Sequence, residues 1–467
     1  MTANKNKIAL VTPPYMEEMG HHPIFPPLGL AYIAAVLDEN DFEVKIFDCP
    51  VSKISPQKLK AELDAFQPTI VGIGSMTSTV DSAFESARAA KEVCPTSKVV
   101  MGGSHATFAD AQILKDEKSV DIIVRGEGEE TLLELAQQPT SMQKIGDIKG
   151  ITFRKGNEIF QTPTRPFIQN LDALPRPAYR FLPIEKYWIA GRKLLSIITS
   201  RGCPFQCSFC VASEMFGSKF RARSPKNVLD ELEWLRDEYG AEGIAFQDDT
   251  LTFDKKRTME ICDGMIERKI NLPWGCGTRA DIVTREILQK MAKAKCNEIM
   301  FGVESGCQKM RNVLKKGVTN EHCDNAIRWA KEAGMFVTVS VILGYPGETK
   351  ETLQETLDFV RKAEPDDVWL CYATPYPGTA LRELVKKNGW KMTENWKLYN
   401  TMNPTFEDPN LPVSEITQIR KRFYNRFYSP KYIMREAVKG YLKGNLYSKI
   451  MARTALNYNL WRIKASL

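Results

Sequence analysis

Ser200-Arg201-Gly202-Cys203-Pro204-Phe205-Gln206-Cys207-Ser208-Phe209-Cys210 follows a strand-like run at 194–199 (LLSIIT) and puts three thiols on one loop. The spacing is C-x3-C-x2-C. Three thiolates so close can hold a metal cluster at three corners and leave the fourth position open. A structural zinc site takes four protein ligands, often in two C-x2-C knuckles. No second knuckle exists, because Cys262, Cys276, Cys296, Cys307, Cys323 and Cys371 all stand alone. A 4Fe-4S cluster held by three cysteines has one iron free to chelate a further ligand. Cys203, Cys207 and Cys210 are the metal-ligand candidates.

Downstream, strand signals at 243–246, 274–278, 298–303, 336–343 and 367–372 alternate with helical stretches at 227–239, 255–267, 285–294, 323–333 and 350–362. With 194–199 they predict six β/α units, a partial (β/α)6 barrel of the TIM type within residues 191–395. Barrels keep their chemistry at the C-terminal ends of the strands. There the sequence places Gln247, Asp248, Asp249, Arg279, Glu304, Ser305, Gly344 and Glu348. Taken singly, each can equally cap the helix that follows.

Upstream, residues 1–140 alternate in the same way, with strands at 7–12, 44–47, 70–73, 98–101 and 122–124. Helices at 28–37, 56–66, 81–93 and from 129 fall between or after them. This is the pattern of an α/β, doubly wound parallel sheet (Rossmann-like), in which ligands bind beyond the carboxyl ends of the strands. Three glycine turns lie at those ends: Gly72-Ile73-Gly74-Ser75, Gly102-Gly103-Ser104-His105 and Arg125-Gly126-Glu127-Gly128. Each alone makes a tight turn; three on one edge let a backbone approach a large flat ligand. No G-x-G-x-x-G follows the first strand, which argues against a dinucleotide. The pair His21-His22 is expected in a solvated loop.

Residues 141–190 form a linker, with a small β element (150–153, 159–162) and a proline-rich, semi-rigid crossing from 163 to 183. Residues 396–467 turn helical and polar. The chain of 467 residues is 43% hydrophobic and 26% charged, which excludes disordered and fibrous classes. Its net charge of +7 is uneven: from Arg420 onward twelve Lys/Arg face one acid, so the rest is net negative. Nucleic-acid binding is therefore not expected of the whole. In the tail nine aromatics interleave with the basic residues, Phe423, Tyr424, Phe427, Tyr428, Tyr432, Tyr441, Tyr447, Tyr458 and Trp461. They fit helices packed on the barrel with Lys/Arg outward, or a dock for a membrane or an acidic partner, or for nucleic acid by phosphate contact and stacking. Eleven cysteines, mostly isolated, do not make a disulfide framework. No apolar run of membrane-spanning length and no signal peptide are seen, so a soluble cytoplasmic protein is expected.

The C-x3-C-x2-C loop, with Phe209 before its third cysteine, resembles the radical S-adenosylmethionine superfamily. Pro26-Pro27-Leu28-Gly29-Leu30, Gly102-Gly103-Ser104-His105-Ala106-Thr107 and Val124-Arg125-Gly126-Glu127-Gly128-Glu129 resemble the cobalamin-binding domain that precedes many of its members. The chain is thus similar to the cobalamin-dependent (class B) radical S-adenosylmethionine enzymes. The resemblance implies a 4Fe-4S cluster on the three cysteines, S-adenosylmethionine on its free iron, and cobalamin, as methylcobalamin, across the edge of the first sheet. It implies S-adenosylmethionine contacts at Phe209, Gln247, Asp248, Asp249, Arg279, Glu304, Ser305, Gly344 and Glu348. Cobalamin contacts are implied at Pro13, Gly72, Gly74, Ser75, Met76, Thr77, Gly102, Gly103, Ser104, His105, Gly126 and Glu127. The D-x-H-x-x-G motif that supplies a histidine to cobalt in the cobalamin-dependent mutases is absent.

A radical generator and a corrinoid in one chain imply C-methylation: a 5′-deoxyadenosyl radical takes a hydrogen from an unactivated carbon, which then receives the methyl group. The alternative is non-methylating chemistry, such as ring formation, oxidative rearrangement or carbon–carbon bond formation on a lipid or tetrapyrrole. Tyr345, Tyr372 and Cys371, with Tyr376, are candidates for hydrogen or electron transfer, or else they simply pack. The expected partners are an electron donor such as ferredoxin or flavodoxin, and a peptide or protein residue or a hydrophobic small molecule as substrate. The oxygen sensitivity of the cluster implies an anaerobic setting.

Overall fold

The computed structural model describes residues 6–14, 25–138, 145–189, 191–439 and 456; His21, His22, Tyr441, Tyr447, Tyr458 and Trp461 lie outside them. The first sheet contains β1 (Lys7–Thr12), β2 (Glu43–Asp48), β3 (Ile70–Gly74), β4 (Lys98–Gly102), β5 (Ile122–Val124), β6 (Ile151–Lys155) and β7 (Glu158–Gln161) in the order β2-β1-β3-β4-β5-β6-β7. Strands β1 to β5 are parallel, in register as Ile8↔Val44 and Gly72↔Val100. Their central runs (IALV, VGI, VVM) are apolar throughout because helices cover both faces. Leu59, Leu63, Ala83, Ala87 and Ala90 pack with Val71, Val99 and Ile123 on one face. Ala31, Leu37, Leu132 and Leu135 join Ile8, Leu10 and Val100 on the other, in a core continuous with that of the second sheet.

The hairpin of β6 and β7 corrects the expected division. It is no part of a linker: it adds two antiparallel strands to the first sheet, with Ile123↔Thr152 and Val124↔Ile151. The cause lies in β5, which has only three residues and would otherwise leave a bare edge. Arg125 fastens the addition through hydrogen bonds to the carbonyls of Ile151 and Thr162. The first α/β unit therefore runs to 161.

The second sheet has β8 (Trp188–Ile189), β9 (Arg192–Ile197), β12 (Gly243–Phe246), β13 (Trp274–Thr278), β14 (Cys296–Glu304), β15 (Phe336–Leu343) and β16 (Asp367–Tyr372), in the order β16-β15-β14-β13-β12-β9-β8. The six from β9 to β16 are parallel, and β8 is an antiparallel addition. The short strands β10 (Ser200–Arg201) and β11 (Arg221–Ala222) pair separately, antiparallel, and no local pattern announced them. The helices between the barrel strands start on side-chain caps: Ser224 accepts from Asn227 N, Asp254 from Arg257 N and Thr284 from Ile287 N.

Helices Val413–Phe427 and Pro430–Ala437 close the open side of this half-barrel. The Leu370 N–H of edge strand β16 donates to Tyr424 Oη at 2.9 Å, and Arg420 Nε donates to the Leu370 carbonyl at 3.0 Å. Tyr428 donates to Asp367 Oδ1 at 2.6 Å and Tyr432 to the Asp366 carbonyl at 2.6 Å. Lys421, Arg422, Arg426 and Lys431 face solvent. As far as Lys439, the aromatic and basic stretch covers an edge strand rather than forming a free dock. Among the described residues no helix is long and apolar enough to cross a membrane.

Candidate functional site

The three cysteines sit in a loop that its neighbours hold from every side. Strands β10 and β11 clamp its ends, and Gly202 (φ +87°) lies where a Cβ would come 2.3 Å from the Lys219 carbonyl. Cys203 N donates to the Gly217 carbonyl at 3.1 Å, and Cys210 N to that of Cys207 at 3.1 Å. Ser208, between the second and third cysteines, ties the loop to the barrel mouth. Its N–H donates to the Leu314 carbonyl at 3.1 Å, its carbonyl accepts from Leu381 N at 2.8 Å, and its hydroxyl accepts from Tyr345 Oη at 2.7 Å.

The thiols step from inside to outside, with Cys203 buried, Cys207 half-buried and Cys210 exposed. Among the described residues no three His, Cys, Asp or Glu side chains close on a single metal ion. Cys203, Cys207 and Cys210 are near enough to feel one another's charge, which fits a shared cluster. Burial pushes the Cys203 thiol up, and neighbouring Asp249 and Cys207 add to this. Iron must therefore displace protons to bind there. On the Cys207 side, Arg279 Nη1 comes to 3.6 Å from Sγ while its guanidinium lies 3.6 Å over the Phe205 ring. Cationic groups beside thiolate sulfur offset the charge that three thiolates bring.

The strand-end residues divide by use. Asp248 is buried and bridges β9 to β12, accepting from Thr199 N at 3.0 Å, Thr199 Oγ1 at 2.9 Å and Ser200 Oγ at 2.6 Å. Asp249 points the other way, beside Cys203 and Cys210; open to water on one side, it is still crowded enough by the sheet and by Asp248 to be pushed up to about 6. Gln247 is exposed at the same end. Glu304 adopts a left-handed backbone (φ +61°) where the β14–β15 register slips. A non-glycine residue held there stores strain. Its carboxylate meets Lys316 Nζ at 2.9 Å and accepts from Ser340 Oγ at 3.3 Å. Ser305 turns into the wall, with Oγ 2.8 Å from Thr356 Oγ1 and accepting from Cys307 N at 3.1 Å. Phe209 packs among Tyr345, Leu381 and Phe406. Gly344 (φ +75°) donates its N–H to Glu348 Oε2 at 2.5 Å, and burial raises that carboxyl to about 8.

On the first sheet the glycine turns do line one edge. Gly103 (φ +98°) leaves no room for a Cβ, which would stand 2.5 Å from the Ser75 carbonyl oxygen. Ser75 N and Oγ both donate to the Gly102 carbonyl, at 2.8 and 2.9 Å. Around Gly126 a Cβ would meet nothing within 4 Å, at Gly74 nothing nearer than 3.9 Å, and Met76 is 51% exposed. This bare backbone shelf fits a broad flat ligand such as a corrin. Pro13 is buried at the end of β1, and Ser104 opens the helix Ser104–Phe108. Gly72 faces Leu10 and Leu132 in the core, away from the shelf. His105 is buried, its Nδ1 3.2 Å from Thr77 Oγ1; burial and the Arg382 charge lower it to about 4, so it is neutral at ordinary pH. Glu127 is occupied elsewhere: its carboxylate takes Arg201 Nη1 at 3.0 Å, Arg221 Nη1 at 2.9 Å and Ile168 N at 2.7 Å.

The C-terminal edges of the two sheets face each other. Gly378, after β16, presses on Phe108, whose Cδ1 would stand 2.5 Å from a Cβ. Trp396 meets the His105 ring edge-on at 4.9 Å, and Arg382 lies over the Trp396 ring at 5.1 Å. Arg382 follows Leu381, which is bonded to the cysteine loop through Ser208.

Two family profiles match these two units: the B12 binding domain over residues 22–136 and the Radical SAM superfamily over residues 197–360. An uncharacterized methyltransferase of Pyrococcus horikoshii is 34% identical over 430 residues, covering 90% of this chain and 94% of the relative. The chain belongs to the cobalamin-dependent radical S-adenosylmethionine enzymes. An anaerobic magnesium-protoporphyrin IX monomethyl ester cyclase of Cereibacter sphaeroides is 32% identical over 418 residues, 87% of this chain and 68% of that protein. The solved structure of TsrM, a radical S-adenosylmethionine methyltransferase from Kitasatospora setae with cobalamin and a 4Fe-4S cluster bound, shares the fold at a TM-score of 0.76. The identity is 17%, across 97% of this chain and 100% of that one. The cofactors of this family member are a 4Fe-4S cluster, S-adenosylmethionine and cobalamin.

Within this radical S-adenosylmethionine fold, the candidates for hydrogen or electron transfer have other partners. The Tyr345 hydroxyl donates to Ser208, Tyr372 Oη stands 2.8 Å from Thr417 Oγ1, and Tyr376 donates to the Tyr399 carbonyl at 3.2 Å. Cys371 is half-buried at the end of β16, and burial raises its thiol. Lys316 and Trp396 also belong to the site's surroundings and are not marked in the sequence. A lysine in Lys315-Lys316-Gly317 carries no local mark of burial, and Trp396 reaches the first sheet only through folding at long range.

Proposed function

We propose that the chain methylates an unactivated carbon after removing a hydrogen atom from it with a 5′-deoxyadenosyl radical. The juxtaposition of the two C-terminal edges carries this reading, since Gly378 against Phe108 and Trp396 against His105 bring the three-thiol loop and the glycine shelf to one interior. When bound, the cluster supplies the electron that releases the radical from S-adenosylmethionine, and cobalamin supplies the methyl group. The chain's own part is positional. Asp249 offers a carboxylate beside the cysteines for an amine; Arg279 and Lys316 stand on the Cys207 side, ion-paired with Asp281 and Glu304. The abstraction needs no general base. We place the reaction in an anaerobic cytoplasm, with ferredoxin or flavodoxin as electron source and a peptide or protein residue, or a hydrophobic small molecule, as substrate.

The 32% identity to the Cereibacter cyclase supports a second reading, radical chemistry on a tetrapyrrole-like substrate without methyl transfer. Anaerobic turnover with methyl-labelled S-adenosylmethionine, read by mass spectrometry on candidate substrates, separates the two. A product carrying the labelled methyl, with 5′-deoxyadenosine and S-adenosylhomocysteine, supports C-methylation. A product without label, formed with 5′-deoxyadenosine, supports the second. A Cys210→Ala protein that retained 5′-deoxyadenosine formation would sink both.

A further inference from the structure

The residue that follows the second cysteine is fixed from three directions, and one of them is a side chain. Ser208 donates its N–H to the Leu314 carbonyl at 3.1 Å and accepts on its own carbonyl from Leu381 N at 2.8 Å. Any residue but proline would keep those two bonds at 208. The third, from Tyr345 Oη to Ser208 Oγ at 2.7 Å, needs a hydroxyl at both ends. Tyr345 is 3% exposed and Ser208 7%, so water does not compete for the bond. Packing does not call for the tyrosine hydroxyl, since a phenylalanine ring would fill the apolar cluster of Met310, Leu314, Ile342 and Leu381 equally well. At its other end Tyr345 belongs to the turn after β15, which closes on itself. The Gly344 N–H donates to Glu348 Oε2 at 2.5 Å, and Glu348 N donates back to the Tyr345 carbonyl at 2.9 Å. Among the described residues, the hydrogen bond that joins this turn to the cysteine loop is the one from Tyr345 to Ser208. One buried hydroxyl pair thus sets the separation between the span Cys207–Cys210 and a turn on another strand end.

We propose that Tyr345 is a positioning residue: through Ser208 it holds the cluster-bearing loop against the 344–348 turn, so that S-adenosylmethionine meets both at a preset separation. A ligand that touches two surfaces binds more tightly when their spacing is fixed beforehand. The inference rests on S-adenosylmethionine bridging the cluster and the Gly344 and Glu348 turn, and it holds whether or not a methyl group is then transferred. In this role the Tyr345 hydroxyl exchanges no hydrogen atom and no electron with the substrate.

The test uses anaerobically reconstituted holoenzyme with its cluster reduced, and titrates the electron paramagnetic resonance signal with S-adenosylmethionine. The midpoint of that titration does not depend on how much cluster a preparation holds. Y345F and S208A are each expected to need about 10-fold more S-adenosylmethionine for the half-maximal change, as the loss of one buried hydrogen bond implies. The Y345F/S208A double variant is expected to match the single variants, because each removes the same bond. A midpoint within twofold of wild type in either single variant overturns the proposal. So does a double variant whose loss is the product of the two single losses, since unconnected packing defects add in free energy. If the melting of the apoprotein shows that Y345F does not fold, S208A, which removes a single oxygen, decides alone. A wild-type signal that S-adenosylmethionine leaves unchanged removes the cluster as its binding site, and the role of Tyr345 with it.

Discussion

Arg201 Nη1 and Glu127 Oε1 stand 3.0 Å apart, with side chains 9% and 4% exposed, and they come from different sheets: Glu127 from the turn after β5, Arg201 from β10. Arg221 joins the same carboxylate at 2.9 Å, and Arg201 also reaches Glu129 at 2.6 Å. This buried cluster joins the glycine shelf's unit to the base of the cysteine loop. Removing one partner of a buried pair leaves an uncompensated charge, at a cost of about 3–5 kcal/mol. Glu127→Ala should therefore lower the unfolding free energy by about 3 kcal/mol in urea titration. A loss under about 1 kcal/mol would mean that the cluster contributes little beyond what a surface pair does.

Two glycines of the shelf should respond to different degrees to the same methyl group. Gly103→Ala drives a Cβ to 2.5 Å from the Ser75 carbonyl, so the turn has to move. Gly126→Ala, also left-handed at φ +74°, meets open space and incurs only the backbone strain, about 1–2 kcal/mol. Cobalamin retained after desalting, measured by its visible absorbance, should fall strongly in Gly103→Ala. In Gly126→Ala retention should fall less, because no protein atom has to move there.

Those positions also mark what a linear reading can see. Strand–helix alternation is a local signal, and both parallel sheets follow from it, as does the thiol loop, whose spacing fits within one turn of chain. What escaped is fixed at long range. In the sequence the 151–161 hairpin reads as part of a linker because its pairing with β5 depends on how short β5 is. Glu127 sits in a glycine turn next to the shelf, yet its partners Arg201 and Arg221 lie more than seventy residues away in sequence. The roles of Asp248 and Asp249 could not be separated either, since adjacent residues at a strand end point in opposite directions and only the three-dimensional neighbours decide their use.

That division predicts unlike phenotypes for neighbouring carboxylates. Asp248→Ala leaves Thr199 N and the hydroxyls of Thr199 and Ser200 without their acceptor inside the protein, at a cost of about 1–3 kcal/mol or more in stability. Asp249→Asn should leave the melting temperature within about 2 °C of wild type, as a partly exposed substitution does. Its effect should appear as a raised KM for S-adenosylmethionine in 5′-deoxyadenosine formation. Equal losses of stability in the two variants would refute the assignment.

Glu348 gives the fold a pH dependence of defined sign. Burial raises its carboxyl from 4.5 to about 8, so the folded chain holds a proton that the unfolded chain releases. Below pH 4.5 both states are protonated and nothing is lost. Between there and about pH 8 the unfolded state binds fewer protons, and stability falls as pH rises. Above about pH 8 the loss is complete, and the folded protein carries a buried carboxylate held by the backbone of Gly344 and Tyr345. Glu348→Gln keeps an oxygen for that N–H and removes the ionisation. Urea unfolding across pH 4 to 9 should show the variant equal to wild type at the acid end and more stable by a few kcal/mol at the alkaline end. A stability difference that did not change with pH would place the Glu348 carboxyl in contact with water rather than inside the loop.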